Sequence, residues 1–292
     1  MRICSASFLV VVSLFASIGR IAAQETTPAS PDTTISSPEE VWNFIHGRDY
    51  RPYLEVGYGL GLLSHKDFSA DLPTMGVLQG KIGYRKIKPF KDINVQLDDR
   101  FLIGTYSSSS VVPGEETADS LTADVYRFGA GVRSGYGWNF LNLTPYHQYS
   151  ISTLKIVNSF PAQLSSPDSA ILARAGGAYK LGMTTEAGLS AEIFSSLGVA
   201  ASYETAVIYN KVVFWEWLGS YFVAATAIGV MSEFAEDIVS VSPILGPVLY
   251  FVLRNGVAIA YFYALSDNMN WPFDSETPMM THSFRLDFSL RF

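Results

Sequence analysis

The chain has 292 residues, 48% of them hydrophobic and 14% aromatic, with a mean hydropathy of +0.19. That hydropathy is high for a water-soluble domain and low for a bundle of membrane helices; it suits a barrel whose strands turn every second side chain to lipid. With 20 Lys and Arg against 27 Asp and Glu, the net charge of −7 argues against a nucleic-acid partner.

Phe8 to Ile18 is apolar but too short to span a bilayer as a mature helix. Arg2 precedes it and Ala22-Ala23 follows with small residues suited to cleavage, so residues 1–23 read as a secretory signal peptide. Cleavage there removes Arg2 and Arg20. It leaves 18 positive against 27 negative charges and discards Cys4, the single cysteine, and with it any disulfide or thiol chemistry. Residues 24–40 are polar and rich in Pro, Ser and Thr, which predicts a disordered leader. Residues 41–51, with Trp42, Phe44 and Ile45, read as a short amphipathic segment.

From Pro52 the hydrophobic period becomes two. Leu54, Val56, Tyr58, Leu60 and Leu62 alternate with Glu55 and three glycines. Leu78, Ile82 and Tyr84 alternate with Lys81 and Arg85. Ile93, Val95, Leu97, Phe101 and Ile103 oppose Asn94, Gln96, Asp98 and Arg100, with Asp99 breaking the apolar face. Tyr126, Phe128 and Val132 oppose Arg127 and Arg133. The stretch 143–153 alternates weakly, because His147 falls on the side of Tyr149 and Ile151. Ala187, Leu189 and Ile193 oppose Glu186 and Glu192; Val199, Ala201, Tyr203 and Val207 oppose Glu204. Phe284, Leu286, Phe288, Leu290 and Phe292 oppose Arg285, Asp287 and Arg291. Short connections at 86–91, 139–142 and 195–196 alternate with long ones at 107–122 and 155–177, as in a membrane barrel with short turns on one side. The expected fold is an all-β transmembrane barrel, antiparallel and up-and-down, of eight strands, with a soluble barrel or sandwich as the alternative.

The carboxyl end, SFRLDFSLRF, resembles the outer-membrane β-signal, which ends on an aromatic residue preceded by alternating hydrophobics. Phe292 holds the terminal position, with Leu290 and Phe288 before it; Asp287 stands where that pattern often has Gly. Together with the strands, residues 52–292 resemble the small bacterial outer-membrane β-barrel group. The resemblance implies export to the cell outer membrane, outer-membrane lipid as the surroundings and recognition by the barrel assembly machinery. It implies no catalytic set.

The polar faces collect Lys81, Arg85, Arg100, Arg127, Arg133, Arg285 and Arg291 against Glu55, Asp98, Glu186, Glu192, Glu204 and Asp287. An eight-stranded barrel is only wide enough for side chains to fill it, and buried charges must pair. These near-balanced sets predict a closed, charge-paired lumen. Residues 210–280 break the period. Two apolar runs, 212–231 with Trp215, Trp217, Tyr221 and Phe222, and 243–263, read as hydrophobic helices joined by an acidic turn at Glu233, Glu236 and Asp237. A hairpin through Asn255-Gly256, giving ten strands, is the rival. A helical insert is expected to cap the barrel, lie in the membrane interface or dock a protein partner.

The four histidines have no nucleophile and orienting acid at interpretable spacing, and there is no metal or cofactor motif, so no catalytic, metal or cofactor residue is assigned. The expected role is a structural or partner-interaction barrel, not an enzyme. The alternatives are a transport or secretion accessory gated by the insert and, behind it, a lipid-modifying enzyme.

Overall fold

The computed structural model describes residues 50–69, 72–91, 93–112, 122–159 and 165–292. The expected signal peptide, the leader and most of the 41–51 segment lie outside the described residues. Eight strands form a closed antiparallel barrel in chain order: β1 (Arg51–Ser64), β2 (Thr74–Phe90), β3 (Asn94–Ser108), β4 (Thr122–Trp138), β5 (Leu143–Ser159), β6 (Lys180–Glu192), β7 (Leu197–Tyr209) and β8 (Met279–Arg291). Closure comes from β8 pairing with β1, where Phe288 opposes Val56 and Arg285 opposes Gly59. A closed ladder leaves no unpaired strand edge.

The strand period of two then sorts the side chains by face. Leu54, Val56, Leu60, Ile82, Leu102, Phe128, Phe284, Leu286 and Phe288 point outward and are exposed, while Glu55, Lys81, Arg133, Glu186 and Arg285 point inward and are buried. A water-soluble barrel has the opposite arrangement. Aromatic residues mark both ends of the greasy wall: Tyr126 and Tyr179 toward the long loops, and Trp138, Phe140, Phe194 and Phe292 toward the short turns. From Tyr126 to Trp138 a tilted strand climbs roughly 30 Å at ~3.3 Å per residue, the thickness of a bilayer's hydrocarbon core.

In β3 the sequence reading is corrected. Leu97, Asp99, Phe101, Ile103 and Thr105 are the inward set, and Asp98 and Arg100 are outward. The inward apolar groups fill space that glycines on the next strand leave free. A Cβ on Gly131 would lie 2.6 Å from the Phe101 ring, so Phe101 occupies the lumen only because Gly131 has no side chain. At the short-turn rim, Asp98 accepts from the Tyr50 hydroxyl (2.5 Å) and Arg100 stacks over the Tyr50 ring (5.3 Å).

Among the described residues three α-helices accompany the strands. The long β5–β6 connection, read from sequence as a loop, holds α1 (Ser166–Ala175), capped by Ser165 Oγ and opened by Pro167. Between β7 and β8 come α2 (Phe214–Val241) and α3 (Gly246–Asp267), an antiparallel hairpin. Glu233, Glu236 and Asp237 do not form its turn; they lie within α2, and the turn is 242–245. Gly246 permits the tight reversal, since a Cβ there would lie 2.4 Å from Val239 Cα. Asn255-Gly256 sits inside α3, so the barrel keeps eight strands.

Candidate functional site

Two regions carry the unusual chemistry: the sealed lumen and the outer wall under the hairpin. In the lumen, one ionic network runs from the short-turn side upward. Arg85 grips Asp99 through two parallel bonds (Nε–Oδ1 3.0 Å, Nη2–Oδ2 2.9 Å) and reaches Glu55 (3.2 Å). Glu55 takes both Arg133 nitrogens, at 2.8 and 2.6 Å, and Lys81 at 2.9 Å. Lys81 lies 3.4 Å from Glu186, which accepts from Arg285 at 2.5 Å. Arg285 also binds Glu204 (3.0 Å), which is held fork to fork by Arg127 at 2.6 and 3.0 Å. Bidentate guanidinium–carboxylate pairs are the strongest ordinary hydrogen bonds, and desolvated charge is tolerated only in such company.

Among the described residues, five cations (Lys81, Arg85, Arg127, Arg133, Arg285) face five anions (Glu55, Asp99, Glu186, Glu204, Asp287) in the buried network. Glu192 and Arg291 join at the short-turn rim, 3.6 Å apart and partly exposed. Of the thirteen charged residues assigned to the lumen from sequence, eleven line it, Asp98 and Arg100 do not, and Asp99 replaces them. Sequence reasoning also passed over the neutral members. Gln148 accepts from Lys81 (2.9 Å) and donates to Glu186 (2.8 Å), Tyr146 donates to Glu186 (2.9 Å), and Thr105 accepts from Arg127 (3.0 Å). The alternation that put His147 outward places Tyr146 and Gln148 inward, so the signal was present.

Above the network the lumen is apolar. Leu63, Met75, Val125, Leu154, Ile156 and Met279 point into the mouth and pack on Ile171, Leu172 and Ala175 of α1. Asp168 of α1 accepts from Ser69 N (3.1 Å) and Ser69 Oγ (2.7 Å), tying the stopper to the first long loop. In that loop, burial holds the His65 imidazole below its ordinary pKa, with Asp67 opposing the shift.

The hairpin neither caps nor enters the barrel; it lies along the outer wall, with α3 against β4, β5, β6 and β7. Under it the outward positions change character. His147, Met183, Thr185, Val207 and Tyr209 are outward yet buried. His147 Nδ1 donates to Asn255 Oδ1 (2.9 Å), Tyr149 meets the Tyr221 ring at 6.2 Å, and Tyr136 meets Tyr250 edge-on at 4.8 Å. Asn94 and Trp138 donate to the carbonyls of Pro243 and Ile244 (2.9 and 3.1 Å), fixing the turn to the barrel's foot. At the other end, Lys66 pairs with Asp267 (2.6 Å) and Asn270 donates to Glu216 (3.2 Å). Of the four aromatics singled out in the insert, Trp217 and Tyr221 face inward and stack at 5.8 Å, while Trp215 and Phe222 are exposed. Between Glu216 and Glu233, α2 is uncharged over about 25 Å, and α3 is long and apolar enough to cross a membrane.

The remaining histidine among the described residues, His282, lies 3.1 Å from the Tyr203 hydroxyl and 3.3 Å from Thr205. Phe288, Leu290 and Phe292 of the carboxyl-terminal motif are exposed on the outer wall.

The fold and site define an inside-out eight-stranded barrel with a sealed polar interior and an external helical hairpin. No family model and no curated protein matches the chain. Among solved structures it is similar to Neisserial surface protein A (NspA), 10% identical with a TM-score of 0.39 over 82% of this chain and 97% of that one. It is also similar to Ail of Yersinia pestis in complex with sucrose octasulfate (11%, 0.38, over 84% and 99%) and to the outer membrane protein OprG of Pseudomonas aeruginosa (9%, 0.25, over 84% and 97%). At these scores the likeness carries no argument, and the architecture rests on the closed ladder from β1 to β8.

Proposed function

We propose that the chain is an integral outer-membrane barrel of a bacterial envelope, exported by its amino-terminal signal, that works as a structural and partner-interaction protein with a closed lumen. The observation that carries the reading is the inversion of the barrel: Leu and Phe side chains exposed on a wall roughly 30 Å tall, with paired Arg and Glu side chains sealed inside. Only a solvent of acyl chains makes that exposure favourable. A closed barrel is one of the two architectures that satisfy every backbone group there.

The hairpin extends the same wall. It covers the sector that carries His147, Met183, Thr185, Val207 and Tyr209, and presents Phe222, Val230, Phe234, Val252 and Ile259 in their place. That greasy face, with Trp215 near one end, is where a protein partner within the bilayer would pack. The carboxyl-terminal Phe292 is where the barrel assembly machinery would engage the chain. The reading assigns no catalytic residue; the neighbours of His282 are the hydroxyls of Tyr203 and Thr205. Gating by the hairpin has no part in it, because the mouth is stopped by α1.

Heat-modifiable gel mobility of the detergent-extracted chain tests the reading. A folded barrel migrates faster before boiling than after. Unchanged mobility contradicts it.

A further inference from the structure

The outer wall that the hairpin leaves bare carries a notch. Gly80 of β2 and Gly104 of β3 are cross-strand partners, and their row continues to Val56 on β1 and Phe128 on β4. Val56 and Phe128 point outward, so both glycines stand where outward side chains would be. A Cβ built on either meets nothing within 4 Å. The rows on either side are filled, by Leu78, Tyr106 and Tyr126 toward the long loops and by Ile82 and Leu102 toward the short turns. The result is a cavity of about 590 Å³, open to the outside and walled by Leu78, Tyr106, Tyr126, Phe128 and Tyr179.

Its rim carries charge. Lys155, the cross-strand partner of Tyr126, lies with its ammonium 5.8 Å from the centre of the Tyr179 ring. Among the described residues Lys155 makes no ion pair. The acid on the same rim, Asp124, accepts from the Tyr106 hydroxyl at 3.3 Å. The rim belongs to the aromatic row toward the long loops, the depth at which lipid headgroups begin.

We propose that this notch is a lipid-binding site, seating one acyl chain of a lipid whose phosphate headgroup pairs with Lys155. On a smooth wall an alkyl chain has protein atoms on one side only. Over Gly80 and Gly104 it has them on the floor and both flanks, and dispersion contacts add with each neighbour. The ring faces of Tyr106, Tyr126 and Tyr179 and the Lys155 ammonium then fix the headgroup end, so that one lipid is retained where its neighbours exchange.

The inference rests on the reading that this wall faces the bilayer, and the experiment separates the two. The full chain is reconstituted in phosphatidylethanolamine and phosphatidylglycerol vesicles, released in mild detergent and weighed by native mass spectrometry, with heat-modifiable mobility read on the same sample. The expected result is one phospholipid adduct per chain. Gly80→Leu with Gly104→Leu, at positions where an added Cβ meets nothing within 4 Å, fill the notch and lower retention about tenfold. Lys155→Gln lowers it about fivefold, the weight of one lysine beside a headgroup. Leu286→Ala, on the β8 wall, leaves it unchanged. A heat shift with no adduct overturns the notch alone, as does an adduct that survives both leucines. A dimer dissolved by the two leucines overturns it in favour of a second copy as occupant. Absence of the heat shift overturns both readings.

Discussion

Replacing Arg285 with methionine removes the cation that joins the two halves of the lumen network. Arg285 binds Glu186 at 2.5 Å and Glu204 at 3.0 Å, and lies 3.7 Å from Asp287. Its loss leaves those three carboxylates buried, but not friendless. Glu186 keeps Lys81 and the Tyr146 hydroxyl, and Glu204 keeps Arg127. Breaking a buried pair from one side costs about 3–5 kcal/mol, and the surviving partners put this case at the lower end, about 3 kcal/mol. For a chain of this size that lowers the unfolding temperature by about 6–12 °C. The assay is the temperature at which the fast-migrating folded band converts to the slow one. Adding Asp287→Asn to Arg285→Met removes the carboxylate whose ion-pair partner was Arg285, leaves four cations facing four anions and returns part of the loss, because deleting both sides of a buried pair is far cheaper than deleting one. A shift below about 2 °C for Arg285→Met, or a double variant no better than the single, refutes the claim that the network is desolvated and mutually dependent.

Other consequences are independent of that one. In planar bilayers neither the intact chain nor one lacking residues 166–175 opens a steady channel, since the network below α1 blocks the path by itself. Asn255→Leu strands the His147 ring under α3 and costs about 1–3 kcal/mol, which His147→Phe in the same chain largely restores; both are read as shifts in the heat-conversion temperature. Gly131→Val drives a methyl into the Phe101 ring and costs about 1–3 kcal/mol by the same assay. Ile82→Arg, at an outward position, lowers stability by about 2–4 kcal/mol in vesicles, whereas a water-facing site would tolerate it.

The barrel was legible because its strands see two different solvents. Wherever the outer face meets lipid, as in β1, β4 and β8, the alternation is clean and the inward charges fall out of it. It blurs where a third environment intervenes. The outward residues of β5 answer to the hairpin, so His147 and Tyr149 replace aliphatics, and the weak period at 143–153 was a sign of that cover. In β3 the inward face holds Leu97, Phe101 and Ile103, because small groups opposite leave room for them in the lumen. A reading that equates apolar with outward therefore takes β3 backwards and exchanges Asp99 for Asp98 and Arg100. The helical character of the insert was readable from its unbroken apolarity. Its placement was not, because the surface it covers is assembled from four strands distant in sequence. Nor was α1, whose ten residues bury only one short face.

Single cysteines at Leu54, Leu102 and Leu286, each carrying a fluorescent label in vesicles, test the central claim most directly. Quenchers dissolved in the acyl chains should reach all three while quenchers confined to water reach none. Labels at Leu102 and Leu286 that answer to the aqueous quencher and ignore the lipid-borne one would mean that the exposed leucines do not face a bilayer.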